Sequence, residues 1–365
     1  MANFDIASVD ANLAVAEKLD TPDLQLYDVR KPPFQIYGLY SPRTRSAFRR
    51  MPENVAASVS EGVLKLHTHT AGGRVRFSTD SPYVVIKAIM PSITHFAHMP
   101  LTGTSGFDLY IDSPDGRQSI YYKTFVPPYH MTDGYESKHV FAEGGTHYVT
   151  INFPLYNALT DLYIGVAKDA TLGEGAPYRD LPPVVYYGSS ITQGGCASRP
   201  GNAYQAMVAR ELQLDFVNLG FSGCGKAEEP MVRYLADMKM SAFVSDYDHN
   251  APNVAYLRDT HQKMYDMIRE KNPDLPYVMI SRPDYFHNER DSISRRQVVV
   301  DTYHYAIAKG DRNVYYIDGG SIFRGPFEDC CAVDGCHPSD LGFSKMAEAV
   351  TAILKRALRD GKLLK

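Results

Sequence analysis

Near residue 178 the chain changes its pattern, and that change limits the fold more than any other feature of the sequence. Before it, short runs rich in β-branched and aromatic residues recur. They are Gly62-Val-Leu-Lys-Leu-His-Thr-His, Arg74-Val-Arg-Phe, Tyr83-Val-Val-Ile-Lys-Ala, Gly106-Phe-Asp-Leu-Tyr-Ile-Asp, His147-Tyr-Val-Thr-Ile-Asn-Phe and Asp161-Leu-Tyr-Ile-Gly-Val. Gly, Pro, Asp and Ser clusters separate them and supply turns. Alternation such as Leu64/Leu66 against Lys65/His67 gives a strand one face for a core and one for water. Many short strands with little helical period predict an all-β, jelly-roll-like sandwich over residues 1–178.

Leu172 to Pro183, with Gly, Pro and mixed charge, reads as a linker. Beyond it, strand and helix alternate. Val184–Gly188, Asp215–Gly220, Ala242–Tyr247, Tyr277–Ser281 and Val314–Asp318 read as strands. Tyr204–Leu212, Glu229–Lys239, Val254–Glu270, Ser292–Ala308 and Leu341–Leu358 read as helices. Apolar strands alternating with helices predict a parallel sheet covered on both faces across residues 179–365.

Composition narrows the function classes. With 44% hydrophobic and 22% charged residues the 365-residue chain can bury two cores, and a net charge of −4 argues against a nucleic-acid surface or attraction to anionic lipid. Met1-Ala-Asn-Phe-Asp-Ile lacks the basic and apolar parts of a secretory leader, and no run approaches the roughly 20 apolar residues of a membrane span. The expectation is a cytoplasmic protein without membrane or nucleic-acid partners. Five cysteines, an odd number, read as free thiols. Cys330, Cys331, Cys336 and His337 cluster, but without a paired C-x-x-C arrangement they do not read as a zinc site.

In open parallel sheets the working residues lie at the carboxyl ends of the strands. Those positions carry Gly188-Ser-Ser-Ile-Thr-Gln-Gly, Asn218-Leu-Gly-Phe-Ser-Gly, Asp246-Tyr-Asp-His-Asn-Ala and, before the last helix, Asp334-Gly-Cys-His-Pro-Ser-Asp. These are the ingredients of acyl transfer. A serine hydroxyl such as Ser190 needs a base, an imidazole such as His337 can be one, and a carboxylate such as Asp334 must hold the other ring nitrogen. Backbone N–H groups of Ser190 and Gly223 and the Asn250 amide are candidate donors to the oxyanion. Bland alternatives stand beside these: Ser189, Ser190 or Thr192 as a helix cap, Asn250 as a turn residue before Pro252, Asp340 as cap of the last helix.

On these blocks the second half resembles the SGNH hydrolases, a superfamily of GDSL-type esterases. Gly188-Ser189-Ser190 resembles the nucleophile block, Ser222-Gly223 the oxyanion glycine, Asn250 the oxyanion asparagine and Asp334-Gly335-Cys336-His337 the Asp-x-x-His block. Ser189, Asp248 and Ala251 depart from the usual Asp, Gly and Asp. Gly106-Phe-Asp-Leu-Tyr resembles the Gly-x-Asp-Leu-Tyr strand of β-sandwiches that precede some SGNH esterases. The resemblance implies a flavodoxin-like α/β/α fold, catalysis by Ser190, Asp334 and His337 without metal or organic cofactor, and an acetylated carbohydrate as substrate.

Further pocket candidates are His249, Asp248 and Asp246 around Asn250, Arg199 after the nucleophile, and Arg282, Asp284, Tyr285 and Phe286 after the fourth strand. His67, His69, His95 and His98 lack partners at a metal-binding spacing. The expected activity is hydrolysis of a short acyl ester through an acyl-enzyme. An acyltransferase with the same triad, a thioesterase or lipase, and an inactive carbohydrate-binding protein remain alternatives. For the first half a lid, a sugar-gripping module and a homo-oligomer interface are all open.

Overall fold

Period-two alternation of apolar and polar side chains builds the first half. In the computed structural model, which describes residues 8–10, 14–15, 19, 21–44, 46–283 and 289–360, it holds β1 (Leu24–Asp28), β2 (Gln35–Tyr37), β3 (Arg74–Thr79), β4 (Tyr83–Ile89), β5 (Phe107–Asp112), β6 (Ser119–Phe125), β7 (Gly134–Val140), β8 (His147–Asn152), β9 (Asp161–Ala167) and β10 (Leu172–Glu174). Asp284, Tyr285 and Phe286 lie outside the described residues.

The strands form two antiparallel sheets, in the orders β1-β9-β4-β7 and β10-β3-β8-β5-β6, with β2 also on β3. Val75 and Phe77 of β3, Phe107 and Leu109 of β5, and Val149 and Ile151 of β8 meet Val84, Ile86 and Ala88 of β4 and Leu162, Ile164 and Val166 of β9 in one core. The other face of the second sheet is polar yet buried: Arg74, Arg76, Asp108, Asp112, Thr150 and Asn152. That face turns toward the second half. Arg74 pairs with Asp215 and donates to the Phe216 carbonyl at 3.2 Å.

Two expectations for this half are corrected. The run from Gly62 is not a strand: α1 (Glu53–Val59) and α2 (Glu61–Leu66) occupy the region. Ser60 caps α2 by accepting the Val63 N–H, and Glu61 and Lys65 pair one turn apart. Ala56 and Val63 are buried with Met51, and Leu64 and Leu66 pack beside them, so the apolar residues serve a helical face. The short alternation at Leu64–His67 fits either period. The linker is also more ordered than expected, since Leu172–Glu174 pairs with Phe77–Thr79 and Tyr178 accepts from Arg74 at 2.7 Å.

The second half follows its alternation: β11 (Val184–Gly188), α4 (Ser190–Gln193), α5 (Tyr204–Leu212), β12 (Phe216–Gly220), α6 (Glu229–Asp237), β13 (Ala242–Asp246), α7 (Val254–Lys271), β14 (Tyr277–Ile280), α8 (Glu289–Ala308), β15 (Val314–Ile317), α9 (Gly319–Ile322) and α10 (Asp340–Asp360). The five strands are parallel, in the order β12-β11-β13-β14-β15. Helices α5 and α10 cover one face; α6, α7 and α8, with α1 and α2 beside them, cover the other. Because the chain passes from β11 to β12 on one side and then crosses back to β13 on the other, a crevice opens at the carboxyl ends of these strands. No described helix is long and apolar enough to cross a membrane.

Candidate active site

Three strand ends and one loop converge on that crevice. Ser190 follows β11 as the first residue of α4, and Ser189 takes the capping role, accepting the Ile191 N–H at 3.1 Å. The Ser190 side chain is therefore spared for other work, and its N–H has no acceptor within its own helix. The residue is 9% exposed.

Ser190 Oγ lies 2.9 Å from His337 Nε2, and His337 Nδ1 lies 2.8 Å from Asp334 Oδ2. The carboxylate fixes the proton on Nδ1, so Nε2 accepts from the serine hydroxyl. Gly335, at φ +77°, turns the loop tightly enough for Asp334 Oδ1 to accept the N–H groups of Cys336 (3.0 Å) and His337 (2.7 Å). Burial raises the Asp334 pKa, but the His337 and Cys336 hydrogen bonds and the His337 charge outweigh it and bring the group down to about 2. Asp334 is thus a carboxylate throughout the neutral range.

Gly223 lies just after β12 at φ +69°, where an added Cβ would meet open space; the backbone conformation, not crowding, calls for glycine. Asn250 Oδ1 accepts from the Gly225 N–H at 3.3 Å, which commits the oxygen and leaves the amide NH2 as donor. His249 stands beside the triad, its Nδ1 3.8 Å from Cys336 Sγ. Burial, aided by the Arg282, His337 and Arg295 charges, holds its pKa well below the usual histidine value.

The remaining candidates have partners inside the protein. Arg199 Nη1 donates to Asp108 (2.7 Å) and Tyr110 (2.5 Å), and its guanidinium covers the Tyr121 ring. These contacts account for Arg199 without a substrate. Asp248, 1% exposed, accepts the Arg282 N–H at 3.0 Å, and its carbonyl accepts from Arg295 at 2.6 Å. Arg282, 5% exposed, lies 3.7 Å from Asp291. Asp246 is buried against the Thr192 hydroxyl. Asp340 is not the cap of α10: its carboxylate accepts the N–H and hydroxyl of Ser198, while Ser339 precedes the helix and accepts the Gly342 N–H. Asp340 therefore ties the loop after the nucleophile to the last helix.

Several side chains around Ser190 were given no place at the site from sequence, most of them because they come from the first half. Tyr156 donates to the Ser190 carbonyl at 3.0 Å. Gln193 accepts the Ser222 N–H at 3.0 Å and donates to His69 Nδ1 at 3.2 Å. His69 can accept because burial, then the Arg50 and His67 charges, lowers its pKa to about 3. Arg50 donates to the carbonyls of Asn218 (3.1 Å), Gly220 (2.5 Å) and Leu66 (2.8 Å), fixing the end of β12. The His98 ring centre lies 5.4 Å from that of His337. Only Asp108 and Tyr110 carried a signal, through the Gly-Phe-Asp-Leu-Tyr run. Burial pushes the nearby Cys196 thiol up to about 12, with Asp334 and Cys336 adding to the effect, so Cys196 is no rival nucleophile.

Residues 182–355 match the GDSL-like Lipase/Acylhydrolase family, and residues 24–172 match the family described as the N-terminus of Esterase_SGNH_hydro-type. The second half thus carries a GDSL-type lipase/acylhydrolase domain and the first half the domain that precedes SGNH-type esterases, a pairing that marks an ester-bond hydrolase. Among solved structures it is similar to a GDSL-like lipase from Bacteroides ovatus, with 28% identity, TM-score 0.79, and coverage of 91% of this chain and 98% of that one. The salicylyl-acyltransferase SsfX3 from a tetracycline biosynthetic pathway shares the fold at 20% identity and TM-score 0.74, covering 92% and 98%. A family two carbohydrate esterase from Clostridium thermocellum shares it at 13% identity and TM-score 0.61, covering 90% and 99%. No curated protein gives a significant match.

Proposed function

We propose that Ser190, His337 and Asp334 hydrolyse a short acyl ester, an acetyl ester of a carbohydrate above all, through an acyl-enzyme. The observation that carries this reading is the unbroken chain Ser190–His337–Asp334, with links of 2.9 and 2.8 Å. Ser190 Oγ attacks the ester carbonyl as its proton passes to Nε2, and Asp334 stabilises the imidazolium that forms. The oxyanion is held by the N–H groups of Ser190 and Gly223 and the Asn250 amide, each worth on the order of a hundredfold in rate. The tetrahedral intermediate expels the alcohol, which takes its proton from His337. Water then attacks the acyl-serine with His337 again as base, freeing the carboxylic acid and Ser190.

The carbohydrate reading draws on the architecture shared with the carbohydrate esterase, which is analogy at the level of fold. The first half offers an exposed aromatic face in Tyr129, flanked by the rings of His95 and His130. The shared architecture of the salicylyl-acyltransferase keeps a second reading in play, in which an alcohol or amine replaces water in the second step. A panel from acetylated oligosaccharides through acyl-thioesters to long-chain esters, run with and without acceptors on the full chain and on Ser190→Ala, tests both. Release of acetate from the sugars by wild type alone is expected. Equal labelling of wild type and Ser190→Ala by a fluorophosphonate would sink the nucleophile assignment.

A further inference from the structure

We propose that His98, Cys196 and His337 form a binding site for zinc, or a cation of similar softness, and that its occupation switches the enzyme off. His98 lies on the exposed segment between β4 and α3 (Leu101–Thr104), Cys196 follows α4, and His337 belongs to the triad. One potential ligand atom from each lies within 4.8 Å of the other two. Two imidazoles and a thiolate are a donor set suited to zinc. Tetrahedral zinc, with Zn–N of about 2.0 Å and Zn–S of about 2.3 Å, sets its ligands roughly 3.5 Å apart, so closure by about 1 Å suffices. The exposed His98 side chain can supply most of that movement, with smaller side-chain shifts at Cys196 and His337.

The triad already supplies what such a site needs around its ligands. His337 Nδ1 is held by Asp334 at 2.8 Å, leaving Nε2 for the cation. A carboxylate behind a metal-bound histidine fixes the ring and strengthens it as a ligand. Ser190 Oγ lies 2.9 Å from the same Nε2, so the cation occupies the lone pair that must take the serine proton. On binding, zinc exchanges bound waters for two imidazole nitrogens and one sulfur, and the Cys196 thiol releases its proton to solvent. No electron changes hands, and the fourth position is left to water or to Ser190.

The inhibitory consequence rests on the triad reading above, whereas binding itself does not, and the test separates them. The full chain, freed of metal by chelation, is titrated with cobalt(II) and the thiolate-to-cobalt charge-transfer absorption is followed. In parallel, 4-nitrophenyl acetate turnover is measured against zinc. Wild type and Ser190→Ala are expected to show the band, with zinc displacing it, and Cys196→Ser is expected to lose it. Measured against each variant's own zinc-free rate, the half-inhibitory zinc concentration should rise at least about tenfold in His98→Gln and in Cys196→Ser. His98→Gln changes an exposed side chain, so it decides the matter even if the Cys196 variant does not fold. No band in wild type, or zinc inhibition unchanged in His98→Gln, would overturn the site. A band without turnover would uphold the binding site and overturn the triad reading instead.

Discussion

Two loops meet at Ser190 and are held in different ways. The loop from Asp334 to His337 secures itself: one carboxylate accepts two backbone N–H groups and the imidazole within four consecutive residues. The loop after β12, which carries Gly223, closes on the Phe221 carbonyl, which accepts the Cys224 and Gly225 N–H groups, and is also braced from elsewhere. Arg50 grips the strand end, and Gln193, itself bonded to His69, holds Ser222. The proposed proton-transfer side of the site is thus local, while the proposed oxyanion side also draws on contacts between the two halves of the chain. A locally closed turn survives changes elsewhere; a turn braced by a second domain transmits them.

The largest effect expected tests the chemistry on which the contrast depends. Ser190→Ala or His337→Ala should lower kcat by on the order of 10⁶-fold in an ester-hydrolysis assay, and retention of more than a few per cent would break the triad. Asp334→Asn should cost about 10⁴-fold, because the amide no longer fixes the productive tautomer. A much smaller loss would show that the local loop does not depend on its carboxylate.

Arg50→Met probes the other side. It strips three backbone carbonyls of their donor in a buried place and should cost about 3 kcal/mol of stability in denaturant unfolding. If the bracing is real, kcat should also fall, with KM less affected; a stability loss with unchanged kcat would uncouple the oxyanion loop from the first half. Asp108→Asn weakens the contacts to Arg199 and the Gly201 N–H at the seam and should cost about 2 kcal/mol, with a milder fall in kcat.

The smallest effect is the pH response of the local loop. The Asp334 pKa is lowered from 3.8 to about 2 on folding, so its stabilisation is fully present above about pH 4. It is lost as the pH falls through about 2. The stability difference between wild type and Asp334→Asn should therefore narrow over that window, and a gap that stays constant would place the stabilisation elsewhere.

Legibility follows the same division. Ser190, Asp334 and His337 could be named because each sits at the end of a recognisable strand or in a short turn, and the structure brings the three into one hydrogen-bonded chain. The five parallel strands were readable from uninterrupted apolar runs bounded by turn residues. The Gly62 run was misread because a strand and a short helix share its spacing until the Ser60 cap and the packing around Met51 decide between them. Arg199 meets Asp108, from the one motif of the first half that carried a signal, a partner that the sequence alone did not pair with it.

By itself the sequence determined the two architectures, the order of the candidate blocks and the three-residue spacing of Asp334 and His337. Hydrophobic period, turn chemistry and a three-residue reach are short-range properties that the covalent chain already enforces. Only the tertiary structure decided that Arg50, His69, Tyr156 and His98 stand around the nucleophile. Nothing local distinguishes those residues from others of their kind; they come to the site only when the two halves pack together, and buried Arg50 and Tyr156 then bond to backbone carbonyls of the second half.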